Sequence, residues 1–68
     1  MRLAITIDTD NAAFDALGTH SDISRAVEAG RILASVARNL VQGYWPGSDG
    51  WPLRDANGNN VGAVEVKP

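Results

Sequence analysis

Leu3, Ile5 and Ile7 alternate with Arg2, Ala4, Thr6 and Asp8. A period of two sends alternate side chains to opposite faces, so the opening segment reads as a β-strand. Thr9-Asp10-Asn11 ends it, because these side chains hydrogen-bond to nearby backbone and favour turns. Asp10 or Asn11 is then placed to N-cap a short helical turn running to Leu17, with Gly18 in the left-handed position behind it. Phe14 and Leu17 are three apart and are expected to cover one edge of the core.

From about Ser21 to Gln42 the period changes to that of a helix. Thr19 and Asp22 have capping-box spacing, with Ser21 as a rival cap. Ile23, Ala26, Gly30, Leu33, Ala37 and Leu40 recur at intervals of three and four, and Val27, Ala34 and Val41 widen the stripe to a core-facing width. Ser24, Glu28, Arg31, Ser35, Arg38 and Gln42 lie opposite and predict a solvent face. An exposed Glu28–Arg31 pair would add only about 0.2–0.5 kcal/mol. Gly30 in mid-helix costs about 1 kcal/mol relative to Ala, and its place in the stripe predicts a close approach to the sheet. Gly43 ends the helix.

A loop from Gly43 to Gly50 carries Tyr44 and Trp45. Asn57-Gly58 then signals a hairpin, because a two-residue type I′ turn needs φ > 0 at both central residues. That turn sets Arg54 opposite Val61, Leu53 opposite Gly62 and Trp51 opposite Val64. Trp51, Leu53, Gly62, Val64 and Val66 then share an inward face, and Arg54, Val61, Ala63, Glu65 and Lys67 the other. Pro52 cannot donate to a ladder, so its strand belongs at an edge. The expected fold is a single α+β domain over residues 1–68: β-α-β-β, a three-stranded antiparallel sheet of order 1-3-2 with one amphipathic helix on one face. Thr6, Arg54, Val61, Ala63 and Glu65 are left on the open face.

Sixty-eight residues make one small core. A chain of this size buries only about 60% of its unfolded surface, so its stability is small. The chain has no cysteine, which excludes disulfides and thiolate metal sites. The apolar runs fall short of a membrane span, and no charged n-region precedes an apolar h-region. Residues 1–30 set five acidic side chains against two basic ones; residues 31–68 set three against four. The acidic first half argues against direct nucleic-acid binding and favours a basic partner.

Asp8-Thr9-Asp10-Asn11 resembles the opening of a calcium loop, but Ala13 and Thr19 stand where that loop needs Gly and a bidentate Glu. No metal is expected there. The other readings are a polar turn that ends the strand, or a cluster in which Asp8 and Asp10 present spaced negative charge beside Asp15 and Asp22. His20, next to Ser21 and Asp22, does not make a triad, since consecutive side chains do not converge. No phosphate loop is present, and no pair of carboxylates has a cleft to work in. The chain is therefore expected not to be an enzyme and to need no cofactor. Tyr44 and Trp45 are either anchors for a partner or caps over the open end of the core.

The opening Ile5-Thr6-Ile7-Asp8 with Asp10-Asn11-Ala12-Ala13-Phe14, the helical Arg31-Ile32-Leu33 with Arg38, and the closing Leu53-Arg54-Asp55-Ala56-Asn57-Gly58-Asn59-Asn60-Val61-Gly62 resemble short proteins encoded by temperate phages and prophages. The likeness covers about half the chain. By its phage context and small size, rather than by these motifs, the chain also resembles anti-CRISPR proteins, a phage class of small acidic folds that block CRISPR–Cas complexes by binding them, some by imitating DNA. The resemblance implies a non-enzymatic inhibitor of a bacterial host protein, working in the host cytoplasm as a monomer or homodimer. Asp8, Asp10, Asp15 and Asp22 would occupy a DNA-binding surface of a CRISPR–Cas complex, with Tyr44 and Trp45 as further contacts. The alternative is a self-associating assembly accessory of a phage or prophage that uses the open sheet face or an edge strand.

Overall fold

The computed structural model describes residues 1–15 and 22–68. Leu17, Gly18, Thr19, His20 and Ser21 lie outside the described residues, and with them the end of the short turn, the Thr19 and Ser21 caps and the histidine. The elements run β1 (Arg2–Ile7), a 3₁₀ turn (Ala12–Asp15), α1 (Asp22–Val41), β2 (Trp51–Arg54) and β3 (Asn60–Lys67). The sheet order is β1-β3-β2 and both pairings are antiparallel. This is the α+β architecture that alternation, helix period and hairpin predict. β2 pairs with β3 alone, so Pro52 sits on an edge strand where its missing N–H costs no ladder bond.

The core is small. Phe14, Ile32, Val36, Leu53, Val61 and Val64 form its buried cluster, and Leu3, Ile7, Ala29, Leu40 and Trp51 pack around it. Phe14 and Val64 are fully buried. Phe14 reaches the centre because the 3₁₀ turn, closed by the Phe14 N–H on the Asn11 carbonyl at 3.0 Å, carries it under α1.

The hairpin keeps its outer register and changes its turn. Trp51 pairs with Val64 and Leu53 with Gly62, as expected, but Arg54 pairs with Asn60. The Asp55 N–H donates to the Asn59 carbonyl, and the Gly58 N–H donates to the Asp55 carbonyl, both at 3.0 Å. Only Gly58 of this turn has positive φ, +85°. The connection is thus a three-residue loop, Ala56-Asn57-Gly58, built as a type I turn followed by a left-handed residue. Asp55 at the first position and Gly58 at the fourth are what a type I turn favours. The loop is one residue longer than a type I′ turn, and a bulge at Val61 restores the outer register. The bulge also explains why Val61, expected on the open face, is buried in the core.

α1 ends as Gly43 predicts. The Tyr44 N–H donates to the Asn39 carbonyl at 3.1 Å and the Gly43 N–H to the Leu40 carbonyl at 3.0 Å, the bond pair of a Schellman motif. Its inward face is a correction. Ser24, Glu28, Ile32 and Val36 are buried, whereas Ile23, Val27, Leu33 and Val41 are exposed. At 100° per residue, apolar side chains occupy more than half of the helix circumference, so apolarity alone leaves the inward direction open. Ile32 and Val36 fill the core from one flank of that arc. The polar partners of Glu28 fix the rotation. Gly30 consequently faces outward, with no other described residue within 4 Å of where a Cβ would stand, and makes no close approach to the sheet.

Candidate protein-binding surface

Glu28 is buried and accepts three hydrogen bonds. Arg31 donates through Nε to Oε1 and through Nη2 to Oε2, each at 2.9 Å, and the Ala56 N–H donates to Oε2 at 2.8 Å. One carboxylate therefore locks α1 to the tip of the β2–β3 hairpin. The Arg31 bonds hold the Glu28 carboxyl below its ordinary range against the opposing effect of burial, with the Ala56 N–H helping. The same pairing raises Arg31. Because one partner is sequestered, this pair does more than the exposed pair expected from spacing.

Asp55 is the second structural carboxylate. It accepts from the backbone N–H groups of Asn57 and Asn59 at 2.9 Å and from the side-chain amides of Asn11 at 3.2 Å and Asn59 at 3.4 Å. Burial pushes its carboxyl up, but the bonds from Asn59, Asn11 and Asn57 outweigh this and leave it below the ordinary value. The Asn11 bond ties the segment after β1 to the hairpin tip. Among the described residues, no buried side-chain polar atom lacks a hydrogen-bond partner.

The residues singled out for binding sit after β1, in the 3₁₀ turn and near the two ends of α1. Asp8 and Asp10 follow β1 and are exposed, and Asp8 Oδ1 accepts the Asp10 N–H at 3.0 Å, the polar turn that ends the strand. Asp15 closes the 3₁₀ turn. Asp22 opens α1 with its side chain in solvent, where it pairs with Arg25 at 3.2 Å. Tyr44 and Trp45 are exposed just past the other end of α1, so they are not caps over the core; the half-buried Trp51 packs there instead. A 20-residue helix is about 30 Å long, and that length separates Asp22 from Tyr44.

Between them lies a surface that the reading by apolarity placed inside. Ile23 is 67% exposed, Val27 64%, Leu33 42% and Val41 88%. Ala26, Gly30, Ala34 and Ala37 are exposed among them. The residues were visible as a stripe in the sequence. Only the competing claim of Ile32, Val36 and Glu28 on the core tells that the stripe points away from it.

A groove of about 240 Å³ runs between α1 and β2, lined by Arg31, Ile32, Asn39, Trp51, Pro52 and Arg54 among others. It is smaller than the roughly 300 Å³ at which small-molecule sites begin. Among the described residues, no three acidic or histidine side chains gather as they would to hold a metal ion. No described helix is long and apolar enough to cross a membrane. Compared with protein-family models, curated proteins and solved structures, the chain shows no match.

Proposed function

We propose that this chain is a non-enzymatic binding protein that inhibits a bacterial host protein by covering part of its surface. One observation carries the reading: the buried carboxylates, Glu28 and Asp55, are spent on holding the fold, while the side chains left for function are surface ones. Asp8, Asp10 and Asp22 offer carboxylates to solvent, and Tyr44 and Trp45 offer exposed aromatic rings of the kind that anchor protein interfaces. Catalysis instead needs a nucleophile and a base brought together in a cleft.

In its narrower form, the host protein is a CRISPR–Cas complex and the carboxylates stand where DNA phosphates bind. Lysines and arginines that hold a phosphate backbone hold spaced carboxylates by the same attraction, and such binding weakens with salt. The test is DNA binding by a purified CRISPR–Cas complex with the chain added. The parent chain is expected to displace DNA, and the Asp8→Asn/Asp10→Asn/Asp22→Asn variant to displace it at least tenfold less well. Equal displacement by the triple variant removes the DNA-mimic reading. A Tyr44→Ala/Trp45→Ala variant then reports whether the aromatic end makes the contact.

The reading as a self-associating assembly protein loses its best sheet-face residue, because Val61 is buried. The exposed face of α1 is the surface that speaks for self-association.

A further inference from the structure

We infer that the exposed apolar face of α1 is the interface of a homodimer, covered by the same face of a second copy. Ile23, Val27, Gly30, Ala34, Ala37 and Val41 follow one another at intervals of 4, 3, 4, 3 and 4 residues, an unbroken heptad seam along the helix. Every one of them is exposed in the single chain. A heptad seam is the pattern that one helix offers to another helix, since it keeps the same edge turned toward the partner over successive turns.

The seam fits itself. A two-fold interface brings the same patch of both subunits together, so the patch must be self-complementary. The spacing is symmetric about Ile32. Two antiparallel copies place Ile23 against the partner's Val41, Val27 against the partner's Ala37, and Gly30 against the partner's Ala34. Bulky side chains stand at the ends and small ones at the middle, which lets the helices approach closely where they cross. Arg31 and Arg38 flank the seam on one side; Arg31 has its charge answered by Glu28, and Arg38 is exposed beside Ala34 and Val41 in the helical array. The Gly30 surface is open to receive a second helix, as no described residue occupies it.

The area is that of a weak dimer. Eighteen residues separate Ile23 from Val41, about 27 Å of helix, and half of a helical cylinder of that length has roughly 450 Å² of surface. Two copies bury roughly 900 Å², a little under the roughly 1,000 Å² at which stable specific interfaces begin, as suits a dimer that forms at high concentration. Oligomerisation is also one of the few ways in which a chain this short can add to a small core.

Sedimentation of the chain from micromolar to millimolar concentration tests the inference. The expected result is a species of about twice the 7.2 kDa chain mass that dissociates on dilution. Ala34→Glu buries a charge at the crossing and is expected to raise the dissociation constant at least a hundredfold while leaving the helical circular dichroism unchanged, since Ala34 is exposed in the single chain. Amide shifts of the ¹⁵N-labelled parent over a dilution series check the surface without any substitution and are expected to move along the seam. A parent chain of single mass at every concentration overturns the inference. So does a dimer that survives Ala34→Glu, or one whose dilution shifts fall on the edges of β1 and β2.

Discussion

The two faces of α1 have exchanged the places that their chemistry suggests. The face that holds the fold together carries Ser24, Glu28, Ile32 and Val36. The face turned to solvent carries isoleucine, valine, leucine, alanine and glycine, with Arg31 and Arg38 along one flank. A helix keeps such an arrangement only when the inward polar groups are fully bonded, because an unmade buried hydrogen bond costs more than an apolar contact to water. Glu28 meets that condition with three bonds, two from Arg31 and one from the hairpin tip. Rotating the apolar stripe inward would break them and carry Ile32 and Val36 out of the core.

The contrast is broken most strongly by trimming each face in turn. Ile32→Ala removes a buried side chain and is expected to cost about 2–5 kcal/mol, enough to unfold much of so small a domain. Val27→Ala, one face over, is expected to change the stability of the dilute single chain by less than about 0.5 kcal/mol. Urea denaturation at micromolar concentration measures both. Equal costs would mean that both faces are buried under those conditions.

Glu28→Ala comes next, at about 1–3 kcal/mol, for it leaves the Ala56 N–H and the Arg31 guanidinium without their acceptor. Arg31→Ala is expected to cost a similar amount, since it leaves the buried Glu28 carboxylate without its charge partner and removes the Arg31 bond to the Arg54 carbonyl at 3.4 Å, with only the Ala56 bond remaining. The double variant set against the two single ones measures the coupling of the pair by urea denaturation; a coupling near zero would show that Glu28 and Arg31 act independently.

Most of the architecture is legible in the sequence because it is set by local signals. The alternation of Leu3, Ile5 and Ile7, the run to Gly43, and Pro52 with the Asn57-Gly58 region each decide an element or its position without help from afar. What escapes is decided by contacts between elements. The rotation of α1 depends on Glu28 finding Ala56, 28 residues away. The turn type depends on an Asp55 carboxylate that also binds Asn11, 44 residues away. The outer hairpin register comes out right for a compensating reason, the bulge at Val61 absorbing the longer loop. Of the surface residues, Asp8, Asp10, Asp22, Tyr44 and Trp45 are exposed, and the length of α1 separates Asp22 from Tyr44.

Acid separates the faces by chemistry instead of by substitution. Glu28 and Asp55 both have folded-state pKa values below their unfolded ones. Each therefore favours the folded state at pH above its unfolded pKa, roughly 4.3 for Glu and 3.9 for Asp, and that contribution is lost as pH falls through the folded value. Stability is expected to be level from pH 7 to about 5 and to fall below about 4.5. In Glu28→Gln the drop should be shallower, with only Asp55 left to titrate among the two. An acid limb as steep as that of the parent would show that Glu28 is not held as its bonds indicate.

The smallest change is the most discriminating, because its sign depends on what covers the outer face. Gly30→Ala adds one methyl group to a helix interior, where alanine is favoured over glycine by about 1 kcal/mol. In the single chain no other described residue stands within 4 Å of that methyl position, so dilute protein should gain up to about 1 kcal/mol from the substitution. Against a second helix the same methyl group must find room at the closest point of the crossing, where extra volume in a packed contact is destabilising. The variant is thus expected to be more stable than the parent when dilute and a weaker dimer when concentrated. If it gains the same stability at both concentrations, Gly30 faces water in solution as it does in the single chain, and the seam of α1 has no second copy upon it.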